Sequence, residues 1–213
     1  MRGRAVVAAA AGVAAAVAVG MLGRPAPQAR AVAPTLAAKC GIERWPVKSL
    51  TDAIASRIQL GKVKTKTVED LRRLKAPKGL RGTTARGRGT ERTVFRITAL
   101  LTSMKREADS DIHLVVADPR DGGSMIVEFP TGACAATASV ASRVAMAKAR
   151  SALAAACGGA AGSRAVSIAG TATITGVGFF DRVHGQTGVA PNGIELHPAL
   201  SFASADCRRI SPP

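Results

Sequence analysis

Three short stretches concentrate the side chains able to do chemistry. Glu107-Ala-Asp-Ser-Asp-Ile-His113 sets Asp111 and His113 two residues apart, which on an extended strand puts them on one face. Met125-Ile-Val-Glu-Phe129 carries Glu128 inside an apolar run. The third stretch holds Asp181 and His184, then Glu195 and His197. All three histidines of the chain fall in these stretches. Imidazoles beside carboxylates are the parts of an acid–base pair or of an oxygen- and nitrogen-ligated metal centre. Hydrogen-bonded structural residues give the same pattern, and Asp118–Asp121 reads as an ordinary turn. No H-E-x-x-H or G-x-S-x-G is present, and Gly176-Val-Gly178 lacks the third glycine of a dinucleotide loop.

The elements that must position these residues follow from periodicity. Thr67 can cap a short helix, with Asp70 reaching back and Val68, Leu71 and Leu74 on one face, ended by Pro77. Residues 78–92 contain four glycines and read as a mobile basic loop. From residue 94 the pattern alternates. It predicts strands over 94–104, with Phe95, Ile97, Ala99 and Leu101 on one face, then over 111–117 and 124–129. An alanine-rich helix is predicted over 137–156, with Val140, Val144, Ala147 and Ser151 on one side. Strands over 166–175 and 194–202 close the set, the last with Ile194, Leu196 and Phe202 opposite Glu195 and His197.

Three strands, a helix and two strands is the order of an OB-like five-stranded barrel, mainly β with one principal helix (α+β). The alternative is a generic α+β sandwich. In an OB barrel the second and third strands are neighbours and the fifth lies beside the third. The three polar stretches would therefore converge on one surface.

Arg2 and Arg4 precede an apolar run over 5–22, and Ala29-Arg-Ala31 follows as a small-residue cleavage site. Together these predict a secretory signal over 1–31, and hence a secreted or cell-envelope protein. The reading divides the rest into an N-terminal extension over 32–92, an OB-like domain over 93–207 and a tail over 208–213. Export makes Cys40, Cys134, Cys157 and Cys207 candidates for two disulfides. Cys134 and Cys157 flank the predicted helix, up to roughly 30 Å apart, which argues against pairing them with each other. No Cys–Cys or Cys–His spacing supports zinc.

The chain of 213 residues has a formal charge of +16, and the excess is localised. Residues 57–106 carry fifteen basic and three acidic side chains, whereas 107–213 are nearly neutral. Such a stripe, with Lys62, Lys64, Lys66, Arg72, Arg73, Arg81, Arg86 and Arg88, is a footprint for a polyanion: a cell-wall polymer, or nucleic acid bound without sequence preference. The interleaved aromatics that single-strand binders stack on are missing there, with Phe95 alone nearby.

Cys40–Asp52 (CGIERWPVKSLTD), Asp109–Asp118 (DSDIHLVVAD), Met125–Pro130 (MIVEFP) and Gly178–Leu200 (GFFDRVHGQTGVAPNGIELHPAL) resemble a family of uncharacterised secreted bacterial proteins. The resemblance implies a Cys40–Cys134 pair, leaving Cys157 with Cys207, and brings no activity with it. A looser similarity is to staphylococcal-nuclease-like OB-folds. Asp109-Ser-Asp111 resembles their D-G-D-T segment, and Val127-Glu-Phe-Pro130 their V-D-T-P. That similarity implies a divalent ion on Asp109, Asp111 and Glu128, but the arginine the family places before its second motif is replaced by Ser124, Met125 and Ile126.

Two functions follow as expectations. One is a secreted module binding an anionic or polar ligand through the face of His113, Glu128, Glu195 and His197. The other is a metal-dependent, phosphodiesterase-like hydrolase using calcium or zinc.

Overall fold

The computed structural model describes residues 1, 3, 39–160 and 162–210, so the predicted signal segment, residues 1 and 3 apart, and the last three residues lie outside the described part. Leu36–Pro213 forms one compact unit. Its elements in chain order are α1 (Trp45–Lys48), β1 (Val63–Thr65), α2 (Val68–Arg72), β2 (Val94–Arg106), β3 (Ile112–Ala117), β4 (Ser124–Phe129), α3 (Val140–Cys157), β5 (Val166–Ala169), β6 (Thr171–Phe180), β7 (Ile194–Ala203) and β8 (Arg208–Arg209).

Five of the strands close into a barrel in the order β2-β3-β4-β7-β6-β2. All neighbours are antiparallel except β4 and β7, which run parallel. With α3 between β4 and β6, this is the connectivity expected of an OB-like barrel. Among the described residues no helix is long and apolar enough to cross a membrane.

The alternation of β2 does the work predicted for it. Phe95, Ile97, Ala99 and Leu101 are buried in the barrel while Arg96, Thr98 and Leu100 face outward. A register shift between Leu101 and Ser103 then returns Met104 to the core. Leu114, Val116, Met125, Val127, Phe129, Ile174 and Leu196 fill the remaining interior. Phe129 and Phe202 meet edge to face at 6.0 Å between ring centres.

Two elements depart from their predicted form. The strand expected over 166–175 splits at Gly170, whose φ of +129° suits glycine alone, and the barrel strand is β6, reaching on to Phe180. β5 leaves the barrel path to pair with the end of β2 and with β8. In α3 the buried stripe is Ser142, Met146, Ala149, Leu153 and Cys157, while Val140 and Val144 are exposed. Cys157 sets that phase through its disulfide to Cys207, with Cα atoms 5.3 Å apart. Ser139 caps the helix by accepting from the Ser142 amide.

The segment before β2 is more ordered than its composition suggested. Leu50 and Ile58 join Val94, Val177, Leu200 and Met146 in a second core on the outside of the barrel wall. The Thr67–Asp70 capping box of α2 is present, and Asp118 accepts from the Glu69 amide, joining α2 to the β3–β4 turn. The loop over 78–92, expected to be mobile, is tied down by two buried arginines. Arg86 makes a bidentate pair with Asp52 and donates to the carbonyls of Val47 and Glu91. Arg44 pairs with Glu91, and its guanidinium also donates to the Thr84 and Phe180 carbonyls. Arg44 itself sits at φ +51°, a left-handed conformation that this set of partners holds in place.

Candidate ligand-binding site

The outer face of β3, β4 and β7 carries the predicted polar residues, and the register explains how. His113 lies opposite Glu128 across the β3–β4 ladder, and Ile126 lies opposite Glu195 across the parallel β4–β7 ladder. Because side chains alternate, Glu195 and His197 project outward beside Glu128. An outward face is normally solvated. Here Asp111, His113, Glu128, Asp181, Glu195 and His197 are all at most 8% exposed. The cover is the segment around Trp45, clamped by the Cys40–Cys134 disulfide (Cα atoms 5.5 Å apart) and by the Trp45 indole N–H, which donates to the Cys134 carbonyl. Both disulfides therefore match the expected pairing.

Between cover and barrel lies a cavity of about 380 Å³. Its walls include Trp45 and Lys48 from the cover, Glu107 and Asp109 from the β2–β3 loop, and His113, Glu128 and Glu195 from the strands. Asp181, His184 and Gln186 of the β6–β7 loop complete it. His184 is the exposed member, at the rim. Asp111 and His197 stand behind the wall and support it. Trp45, Lys48 and Glu107 lie inside stretches singled out in the sequence, but nothing there marked them individually as site residues.

The hydrogen bonding fixes the protonation logic. His113 Nε2 lies 3.0 Å from the Thr187 carbonyl, which can only accept, so Nε2 carries a proton. His113 Nδ1 lies 2.7 Å from Glu128 Oε1, and the two share one further proton. Burial pushes Glu128 up to about 7, against the opposing pull of His113. Burial lowers His113, but the bond to Glu128, the charges of Glu128 and Glu107 and the bond to the Thr187 carbonyl together outweigh this and leave it raised. His197 is flanked by Asp111 and Glu195, each with an oxygen 3.5 Å from one ring nitrogen. Burial opposes its charge, yet the two carboxylates raise it to about 9. The imidazolium is thus the form present near neutral pH. Phe179 packs edge-on to that ring at 5.5 Å.

The lining is acidic in a basic protein. Six carboxyl groups (Glu43, Glu107, Asp109, Glu128, Asp181, Glu195) face two lysines and two histidines. Lys48 is bound to Asp181 at 3.0 Å, Lys105 to Glu107 at 2.9 Å, and Arg182 to Glu43. Burial and the neighbouring Asp111 raise Asp109, whose Oδ1 accepts from the Asp111 amide. Glu128 Oε2 and Glu195 Oε2 are buried with no hydrogen-bond partner.

Metal ligation was expected of Asp109, Asp111 and Glu128, but these residues point to different partners. Asp111 Oδ1 accepts from the Thr131 amide, and Glu128 turns to His113. Among the described residues no group of three or more His, Cys, Asp or Glu side chains is placed to hold a metal ion.

The basic stripe is uneven. Arg86 is buried against Asp52 and is no part of a surface. Lys66, Arg72 and Arg73 pair with Asp70, Glu69 and Asp121. Lys62, Lys64, Arg81 and Arg88 are exposed and, among the described residues, without an acidic partner within 4.0 Å.

Comparison with protein-family models, with curated proteins and with solved structures returns no match.

Proposed function

We propose that the chain is an exported binding module whose cavity takes a small polar ligand presenting a cationic or hydrogen-bond-donating group. The carrying observation is Glu128 Oε2, a carboxylate oxygen buried in the cavity wall with no hydrogen-bond partner, beside Glu195, whose Oε2 has only His197 Nδ1 at 3.5 Å. A buried acceptor without a donor is destabilising, and a ligand N–H or O–H at that point removes the cost. The acidic lining disfavours an anion there, which narrows the expected anionic or polar ligand to its polar half for this cavity. Placement adds support. OB-type barrels bind ligands on the face of their second and third strands, between the loops joining strands one to two and four to five. Here those are β3, β4 and the loops at 107–111 and 181–193, an analogy of fold alone. Two disulfides support an oxidising compartment, in keeping with the predicted export signal and with the resemblance to secreted bacterial proteins.

Three hexoses matched in ring shape and differing in charge test the reading: glucosamine, N-acetylglucosamine and glucuronate. Amide chemical shifts of Glu128, Glu195 and the 181–193 loop should move with the first two. Glu195→Gln should weaken the glucosamine response most. Because Glu128 titrates near neutrality, a bound ammonium displaces its proton, and calorimetry in two buffers of different ionisation enthalpy should show proton release. Glucuronate binding as well as glucosamine, or no sugar moving these amides, would sink the reading.

A further inference from the structure

A second cavity, separate from the acidic one, is built entirely from the opposite charge. Its volume is about 250 Å³, and it is lined by Arg57, Gln59, Lys62, Lys64, Arg92 and Thr93, with no carboxylate among them. Apolar anchors hold the cations in place. Ile58 is buried in the outer core, and Leu60 and Val63 pack against that core. Since alternate residues of β1 face opposite ways, seating Val63 inward turns Lys62 and Lys64 outward together. Arg92 donates through Nε to the Gly87 carbonyl at 3.1 Å, which fixes its plane and leaves its terminal nitrogens available. Among the described residues none of the four cations has an acidic partner within 4.0 Å, in contrast to Lys66, Arg72, Arg73 and Arg86 of the same stripe. Four like charges held together without counter-ions destabilise the free protein, and a bound oxyanion relieves that repulsion. A fixed guanidinium beside ammonium groups suits the tetrahedral oxygens of a phosphoryl group.

We infer that this groove is a phosphate-binding site that seats the backbone phosphoryl groups of an anionic polymer. No aromatic side chain lines it, so nothing there stacks on a nucleobase, and the occupant is read by its phosphates alone. The polyanion attraction expected of the whole stripe is thereby assigned to four side chains.

The test measures binding of full-length protein to long-chain inorganic polyphosphate and to poly(dT) across a salt series. Lys62→Glu/Lys64→Glu is compared with Arg81→Glu/Arg88→Glu, which changes the net charge equally elsewhere on the exposed stripe. The groove variant should lose on the order of tenfold or more in polyphosphate affinity and show a shallower salt dependence, while the control loses far less. Arg92→Lys, which keeps the charge and removes the planar fork, should also weaken binding. Equal losses in both double variants would overturn the site in favour of a diffuse field. Tighter binding of poly(dT) than polyphosphate at matched phosphate would overturn the base-independent reading, and no binding at low salt would overturn the whole inference.

Discussion

The most quantitative consequence concerns His197. Its ring lies between Asp111 and Glu195, fully buried, and its pKa is raised from about 6.5 to about 9. A shift of that size corresponds to about 3 kcal/mol favouring the folded imidazolium. Because the folded value lies above the unfolded one, that stability is fully present below pH about 6.5 and is lost as pH rises through about 9. Glu128, also raised, contributes with the same sign but in a lower window, ending near pH 7. Measurement from pH 7.5 to 9.5 therefore lies above the Glu128 window, and roughly 2 of the 3 kcal/mol from His197 should disappear across it, with His113, also raised, acting in the same direction. Tyrosine and thiol titration do not contribute, because the chain has no tyrosine and the described cysteines are all paired. Urea unfolding followed by the single Trp45 should show the decline in wild type. His197→Gln should be less stable at pH 7.5 and clearly flatter than wild type across the same range, His113 accounting for what slope remains. Ring titration by NMR reads the pKa directly. A flat wild-type profile, an unchanged slope in His197→Gln, or a His197 ring that titrates below pH 7 would refute the reasoning.

Three further outcomes are expected. Glu91 accepts from Arg44 at 2.7 and 2.9 Å and from the Phe180 amide at 3.1 Å, so Glu91→Gln leaves a buried guanidinium without its counter-charge. It should cost roughly 3–5 kcal/mol in chemical denaturation. Gly188 sits at φ +78°, where an added Cβ meets the Val115 side chain. Gly188→Ala should cost at least about 1–2 kcal/mol and, by shifting the neighbouring Thr187 carbonyl, move the His113 ring resonances. Replacing Cys40 and Cys134 with serine opens a loop of 94 residues and should lower stability by about 4–5 kcal/mol. The corresponding Cys157/Cys207 change, with a separation of 50, should cost about 4 kcal/mol and leave sugar binding at the cavity in place.

The barrel was legible because its strands are long enough for alternation to show, and because strand-helix order constrains topology. The convergence of Asp111, His113, Glu128, Glu195 and His197 followed from that topology together with side-chain parity. What stayed hidden was tertiary. Arg44 and Glu91 are 47 residues apart and Arg86 and Asp52 are 34 apart, and no local pattern marks either pair. The cover over the site is a four-residue helix with irregular flanks, too short for periodicity. The phase of α3 was missed for a different reason. In an alanine-rich helix Val140 and Val144 are the most apolar residues near its start, yet the stripe is set further along by Met146, Leu153 and Cys157. In the stretch that resembles a nuclease-type metal segment, Asp109 Oδ1 accepts from the Asp111 amide, a turn contact that the residue types alone allow.

The clamp between Cys40 and Cys134 does more than stiffen the molecule. One wall of the acidic cavity comes from residues 39–48 and the other from strands that begin more than sixty residues later. The disulfide, the Arg44–Glu91, Lys48–Asp181 and Glu43–Arg182 pairs, the Arg44 bond to the Phe180 carbonyl and the Trp45 indole fasten the first wall to the second. None of the fastening side chains lies in the barrel interior, so the disulfide acts on the seating of the cavity wall as well as on overall stability. On the proposed function, ligand binding is therefore expected to track the electron balance of the surroundings, the cavity wall being pinned where the thiols are oxidised.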